Sequence, residues 1–93
     1  NQAVIKSAKE VFKQKNGKLH CQVCGFDFQT KYGDIGVDFI EGHHTLPISE
    51  LKGEVKTKVK DVALVCSNCH RMLHRRRPWL KMEELQKLIN KKT

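Results

Sequence analysis

The stretch Asp61-Val62-Ala63-Leu64-Val65-Cys66-Ser67-Asn68-Cys69-His70-Arg71-Met72-Leu73-His74 decides how the chain is read. Val62 to Val65 form a short apolar run suited to a buried β-strand. The run leads into Cys66, the first member of a Cys-x-x-Cys pair. Ser67 can cap a helix over residues 68–76, because its hydroxyl can accept from the free amides of the first turn. Pro78 ends that helix, since the residue before a proline avoids α geometry. His70 and His74 stand four residues apart on it, so both imidazoles project from one face and can chelate one ion.

Moving outward, Cys21-Gln22-Val23-Cys24 supplies a second Cys-x-x-Cys pair, with 41 residues between Cys24 and Cys66. The two-residue spacer lets both thiolates of a pair face one tetrahedral ion about 2.3 Å away. Disulfides would need an oxidising compartment that the sequence does not advertise. A redox dithiol would explain one pair and not two. Structural zinc on Cys21, Cys24, Cys66 and Cys69 is therefore expected. His20 precedes the first pair, but four cysteines already close the tetrahedron. The ion would also supply stability, because a chain of 93 residues hides only roughly 65% of the area its unfolded form exposes.

Between the pairs, Val37 and Phe39 alternate with Asp38 on an expected strand running toward Gly42-His43-His44. Adjacent strand residues face opposite sides, so His43 and His44 cannot both be ordinary ligands of one ion unless the strand is ending. A natural division puts one ring on the metal and aims the other at a water beside it. Three imidazoles leave coordination positions open, the mark of a catalytic rather than a structural site.

The flanks read more simply. Val4, Ala8, Val11 and Phe12 mark an amphipathic helix ending near Asn16-Gly17. Phe26-Asp27-Phe28 reads as a short strand, and Lys31 to Gly36 as a turn or loop. Residues 45–60, with Pro47 and Gly53, read as a long loop with one turn around Ser49 to Leu51. Met82, Leu85, Leu88 and Ile89 form the apolar face of a last helix, with Trp79 as its core anchor or, alternatively, a base-stacking ring. The whole is a single small α+β domain over residues 1–93, with helices at both ends. It begins without Met, which leaves room for a longer protein.

The formal net charge is +8. Residues 47–93 hold twelve Lys and Arg against five acids, whereas residues 1–46 are nearly balanced. Such asymmetry points to a polyanion, most often nucleic acid, with a solubilising surface as the plainer alternative. Arg71, Arg75, Arg76 and Arg77 follow the second Cys pair and suit phosphates, or else complement the dipole of a solvated helix end. No apolar run approaches the ~18 residues of a membrane span, and the first residues lack the apolar stretch of a signal peptide, so a soluble protein is expected.

Glu41-Gly42-His43-His44-Thr45-Leu46-Pro47-Ile48, followed by Asp61 to His74, resembles an HNH endonuclease of the ββα-metal type over about residues 20–77. The two Cys pairs resemble those of bacterial McrA-type restriction nucleases. The resemblance implies DNA as the partner, a bacterial cytoplasmic setting, and products with 5′-phosphate and 3′-hydroxyl ends. It implies that His44 is the general base and that His43, His70 and His74 hold a catalytic divalent ion. The family's central Asn, which pins the long loop, falls on Asp61. An Asp oxygen can accept from backbone amides but lacks the amide donor. Imidazole ligands favour Mn²⁺, Ni²⁺ or Co²⁺ over Mg²⁺, although cellular availability can decide. Double-strand cutting needs two sites, so a homodimer or paired nicks would serve. The main rival is a zinc-ribbon-like nucleic-acid-binding module in which the histidines are incidental. A protein-interaction domain on a nuclease scaffold fits an intact His set poorly.

Overall fold

In a computed structural model, residues 2–45 and 58–91 are described. The expected long loop with Pro47, Gly53 and a turn around Ser49 to Leu51 lies for the most part outside them. The first helix, α1, spans Gln2–Asn16, as its apolar spacing requires, and Gly17 at φ 82° follows it. Next come a short helix α2 (Phe28–Tyr32) and a 3₁₀ turn (Gly33–Gly36). Strand β1 (Glu41–His44) follows, then a second 3₁₀ turn (Val59–Asp61) that leads into strand β2 (Val62–Val65). Helices α3 (Ser67–Leu73) and α4 (Met82–Lys91) complete the described chain.

The two strands pair antiparallel, with Glu41 opposite Val65, Gly42 opposite Leu64, His43 opposite Ala63 and His44 opposite Val62. Because side chains alternate between faces, Glu41 and His43 share one face with Ala63 and Val65, while Gly42 and His44 share the other with Val62 and Leu64. This splits the core in two. On one side Val62 and Leu64 pack with Ala8, Leu19 and Ile40 under α1. On the other, Val65 packs with Cys21, Cys66, Cys69, Leu73 and Leu85 between α3 and α4. Phe28 touches both clusters and joins them. Gly42 permits the close approach of α1, since a Cβ there would lie 2.7 Å from Ile5 Cγ1.

Four expectations need correction. Phe26-Asp27-Phe28 is not a strand: the Asp27 carboxylate accepts from Thr30 N at 3.0 Å and starts α2 at Phe28. Val37 and Phe39 are exposed and lie before the sheet. Asp38 between them sits at φ 61°, a left-handed backbone that breaks an extended run and that Asp tolerates. Lys13 Nζ holds Asp38 Oδ1 at 2.6 Å. Helix α3 ends at Leu73 rather than residue 76, and its cap is Cys66, whose Sγ accepts from Cys69 N at 3.4 Å. Trp79 does not anchor α4, a task that falls to Leu80, Met82 and Leu85.

Candidate metal centres

Two clusters of metal-ligating side chains flank α3. In the first, the sulfur atoms of Cys21, Cys24, Cys66 and Cys69 all lie within 4.8 Å of one another. Cys24 Sγ and Cys66 Sγ are 3.8 Å apart, the separation that a tetrahedral ion with bonds of about 2.3 Å imposes on its ligands. Backbone amides converge on the same sulfurs. Val23 N and Cys24 N donate to Cys21 Sγ at 3.4 and 3.5 Å. Burial pushes the Cys21 thiol up, but the amides of Cys24, Cys66 and Val23 outweigh it and hold the group at about 7. Burial, followed by the neighbouring thiols, raises Cys69, and burial likewise raises Cys24. Four thiolates this close need a cation to ionise together, so the donor set suits structural zinc.

The first knuckle is tied to the sheet from outside. Gln22 N donates to Leu64 O at 2.8 Å, and Leu64 N donates to Gln22 Oε1 at 2.6 Å. His20 stays out of the sulfur cluster, its ring edge-on to Phe12 with centroids 4.9 Å apart.

The second cluster contains His43, His70 and His74, whose ligand nitrogens also lie within 4.8 Å of one another. Strand alternation aims His43 at α3, and the four-residue spacing stacks His70 and His74 on the facing side of that helix. His43 Nδ1 and His74 Nε2 are 3.2 Å apart, close to the ~3.3 Å expected of two imidazole nitrogens on one tetrahedral ion at about 2.05 Å. His43 is almost fully buried, with 3% of its surface exposed. Burial, then the neighbouring His70, His74 and His44, push its pKa down to about 4. Burial and His70 also lower that of His74. Both shifts favour the neutral imidazole, the form that ligates a cation.

Two further side chains, neither of them placed beside the histidines by the sequence, border this cluster. Glu41, on the same strand face as His43, accepts from His70 Nδ1 at 2.8 Å and from Ser67 Oγ at 2.7 Å. These bonds hold its carboxyl below the ordinary carboxylate range and leave His70 Nε2 as the ring's free lone pair. Its i, i+2 relation to His43 was the available signal. The second is Trp79, half-buried, whose ring centroid lies 3.9 Å from that of His74 and 5.8 Å from that of His43.

His44 points to the opposite face of the sheet from His43 and stands outside the three-histidine cluster. Among the described residues its Nδ1 is buried without a hydrogen-bond partner. The strand end beside it is held by Asp61, whose backbone carbonyl accepts from Thr45 N at 2.9 Å and Thr45 Oγ1 at 3.0 Å. The Asp61 carboxylate accepts from Lys58 N at 3.2 Å. Arg71 and Arg75 line an open groove of about 730 Å³ with Glu41, Ser67, His70 and His74. Arg76 and Arg77 are exposed beyond the end of α3 and do not line it.

An antiparallel strand pair followed by a helix, with a histidine cluster across the strand–helix contact and a four-cysteine cluster behind it, defines a ββα-metal domain. The HNH endonuclease family model matches residues 21–76, more than half of the chain. The chain belongs to the HNH endonuclease family. Searches among curated proteins and among solved structures return no match. No helix among the described residues is long and apolar enough to cross a membrane.

Proposed function

We propose that this HNH domain is an active, metal-dependent DNA endonuclease, with a restriction role as the McrA-type resemblance suggests. The observation that carries this reading is the convergence of His43, His70 and His74 ligand nitrogens within 4.8 Å at the edge of a groove lined by Arg71 and Arg75. A divalent ion held by these three rings would act as a Lewis acid toward a phosphate oxygen and the departing 3′ oxygen.

The chain's own residues do the rest. His44 takes the proton of the attacking water as general base. The Thr45–Asp61 bonds fix the strand end from which His44 projects, and Asp61 supports the adjoining loop. Glu41 orients His70 through its Nδ1–H and keeps the ring in one tautomer. Arg71 and Arg75 grip phosphates beside the cut, with Arg76 and Arg77 further along the backbone. The products carry 5′-phosphate and 3′-hydroxyl ends. Cleavage of both strands calls for a homodimer or for two successive nicks.

The test is supercoiled plasmid incubated with the wild type and His44→Ala in Mn²⁺, Ni²⁺, Co²⁺ or Mg²⁺, with the fold of each checked by circular dichroism. Nicking by the wild type and its loss in His44→Ala is the expected result. Nicking that persists unchanged in His44→Ala removes the base assignment. The burial of His44 Nδ1 favours the rival, a non-catalytic zinc-ribbon-like binding module in which the histidines are incidental. Plasmid that stays supercoiled with every ion would favour that rival.

A further inference from the structure

A second groove, of about 610 Å³, reaches the histidine cluster at His70. Its walls come from α1 (Gln2, Ala3, Ile5, Lys6 and Lys9) and from Ile40, Glu41, Gly42 and His70. It shares Glu41 and His70 with the groove that Arg71 and Arg75 line, so the two meet across a candidate metal ligand. Gln2, Ile5, Lys6 and Lys9 follow the i, i+3, i+4, i+7 spacing of one helix face.

We propose that Lys6 and Lys9 of α1 form a second phosphate-binding wall, so that a nucleic-acid backbone crosses the histidine cluster with Arg71 and Arg75 on one side and the two lysines on the other. The inference rests on the endonuclease reading for its ligand, but the surface can be tested apart from cleavage.

Charge within the groove supports this occupant. Glu41 is the only acid among the described residues of its lining, and that carboxylate is already bonded to Ser67 and His70. Lys6 is exposed. Lys9 Nζ donates one long bond, 3.3 Å, to Asp38 O, which leaves two of its three N–H donors for a phosphate. Lys13 differs, because the Asp38 carboxylate 2.6 Å away neutralises it. Lys15 lies nine residues from Lys6, on the opposite side of the helix. The groove therefore gathers two cations of α1 that pair with no carboxylate among the described residues, next to the place where a phosphate would be cut.

The experiment measures binding of a 20-base-pair duplex by fluorescence anisotropy across a salt series, with one equivalent of zinc and no other divalent ion. The proteins are the wild type, Lys6→Gln/Lys9→Gln, and a control of equal charge change, Lys15→Gln/Lys87→Gln. Wild-type nicking of plasmid in Mn²⁺ or Ni²⁺ is scored in parallel. Each phosphate contact contributes about 1 to the slope of log K against log salt. The Lys6/Lys9 variant should lose about 2 from that slope and bind more weakly, while the control keeps the wild-type slope. An unchanged slope in the Lys6/Lys9 variant, or an equal fall in the control, overturns the second wall. A selective fall with no wild-type nicking retains the nucleic-acid surface and removes the endonuclease reading. Nicking with no selective fall does the reverse.

Discussion

Glu41 Oε1 lies 2.8 Å from His70 Nδ1, and this contact couples the strand to the helix at the point where the three imidazoles meet. Ser67 Oγ holds the other oxygen of the same carboxylate at 2.7 Å. Removal of an outer partner of this kind costs roughly 10–100-fold in metal affinity. Glu41→Ala should weaken Ni²⁺ or Co²⁺ binding at the histidine cluster by that factor in calorimetric titrations, and Ser67→Ala by less. Zinc content should stay at one per chain in both. Unchanged affinity in Glu41→Ala would show that the carboxylate does not orient His70.

Trp79 is the one tryptophan of the chain, and its ring sits 3.9 Å from that of His74. Ni²⁺ or Co²⁺ on the histidines should therefore quench its fluorescence in a saturable titration. His74→Ala and His43→Ala should each abolish the saturable phase. Quenching that survives both substitutions would place the ion elsewhere.

This contact also shows where sequence reading falls short. The Cys-x-x-Cys pairs, the His70–His74 spacing and the β2–α3 succession are local patterns, and each was readable because its geometry depends only on neighbours in the chain. The partners of Trp79 and Glu41 are set by the strand register and by the chain between Leu73 and Leu80, which no periodicity encodes. Phe26 and Phe28 alternate like a strand, yet the local hydrogen bond from Thr30 N to Asp27 prevailed. Val37 and Phe39 alternate as well, but the left-handed turn at Asp38 separates them from the sheet, which begins at Glu41.

Stability should fall in acid because of His43. Its pKa is pushed down to about 4 in the fold, against about 6.5 for an ordinary histidine. Below pH 6.5 the unfolded chain takes up a proton that the folded ring refuses. Stability present at neutral pH is then lost progressively down to about pH 4, by on the order of 3 kcal/mol. Glu41 acts in the same direction, since its lowered pKa contributes stability that disappears as pH drops below the ordinary glutamate range. Denaturant melts of the zinc-loaded protein, with no second ion added, should show a smaller loss between pH 7.5 and 5 for His43→Gln than for the wild type. Equal losses would contradict the assignment.

The sulfur cluster should govern folding. Three of its four cysteines are buried beside Val65, Leu73 and Leu85, so zinc removal leaves close-packed thiols in place of an ionic tetrahedron. Cys66→Ser should lose zinc and most of its helical circular dichroism at 25 °C, because apparent zinc binding energies reach about 10 kcal/mol or more. A folded, zinc-free Cys66→Ser protein would mean that the hydrophobic clusters suffice.

Gly42→Ala probes the seam between α1 and the sheet. The added methyl would meet Ile5 Cγ1 at 2.7 Å and Ile5 Cδ1 at 3.0 Å, an overpacking that costs about 1–3 kcal/mol. The thermal midpoint should fall accordingly, and Gly42→Ala/Ile5→Ala should relieve the clash. If the double variant is no better than the sum of its parts, the close approach is not the cause.

A second ion, apart from zinc, should bind the imidazoles of His43, His70 and His74. Anomalous scattering from crystals soaked in Mn²⁺, collected at the manganese edge, tests it most directly. A manganese peak within bonding distance of all three rings is the predicted result. Anomalous density confined to the four sulfurs, with no manganese at the histidines, would contradict it.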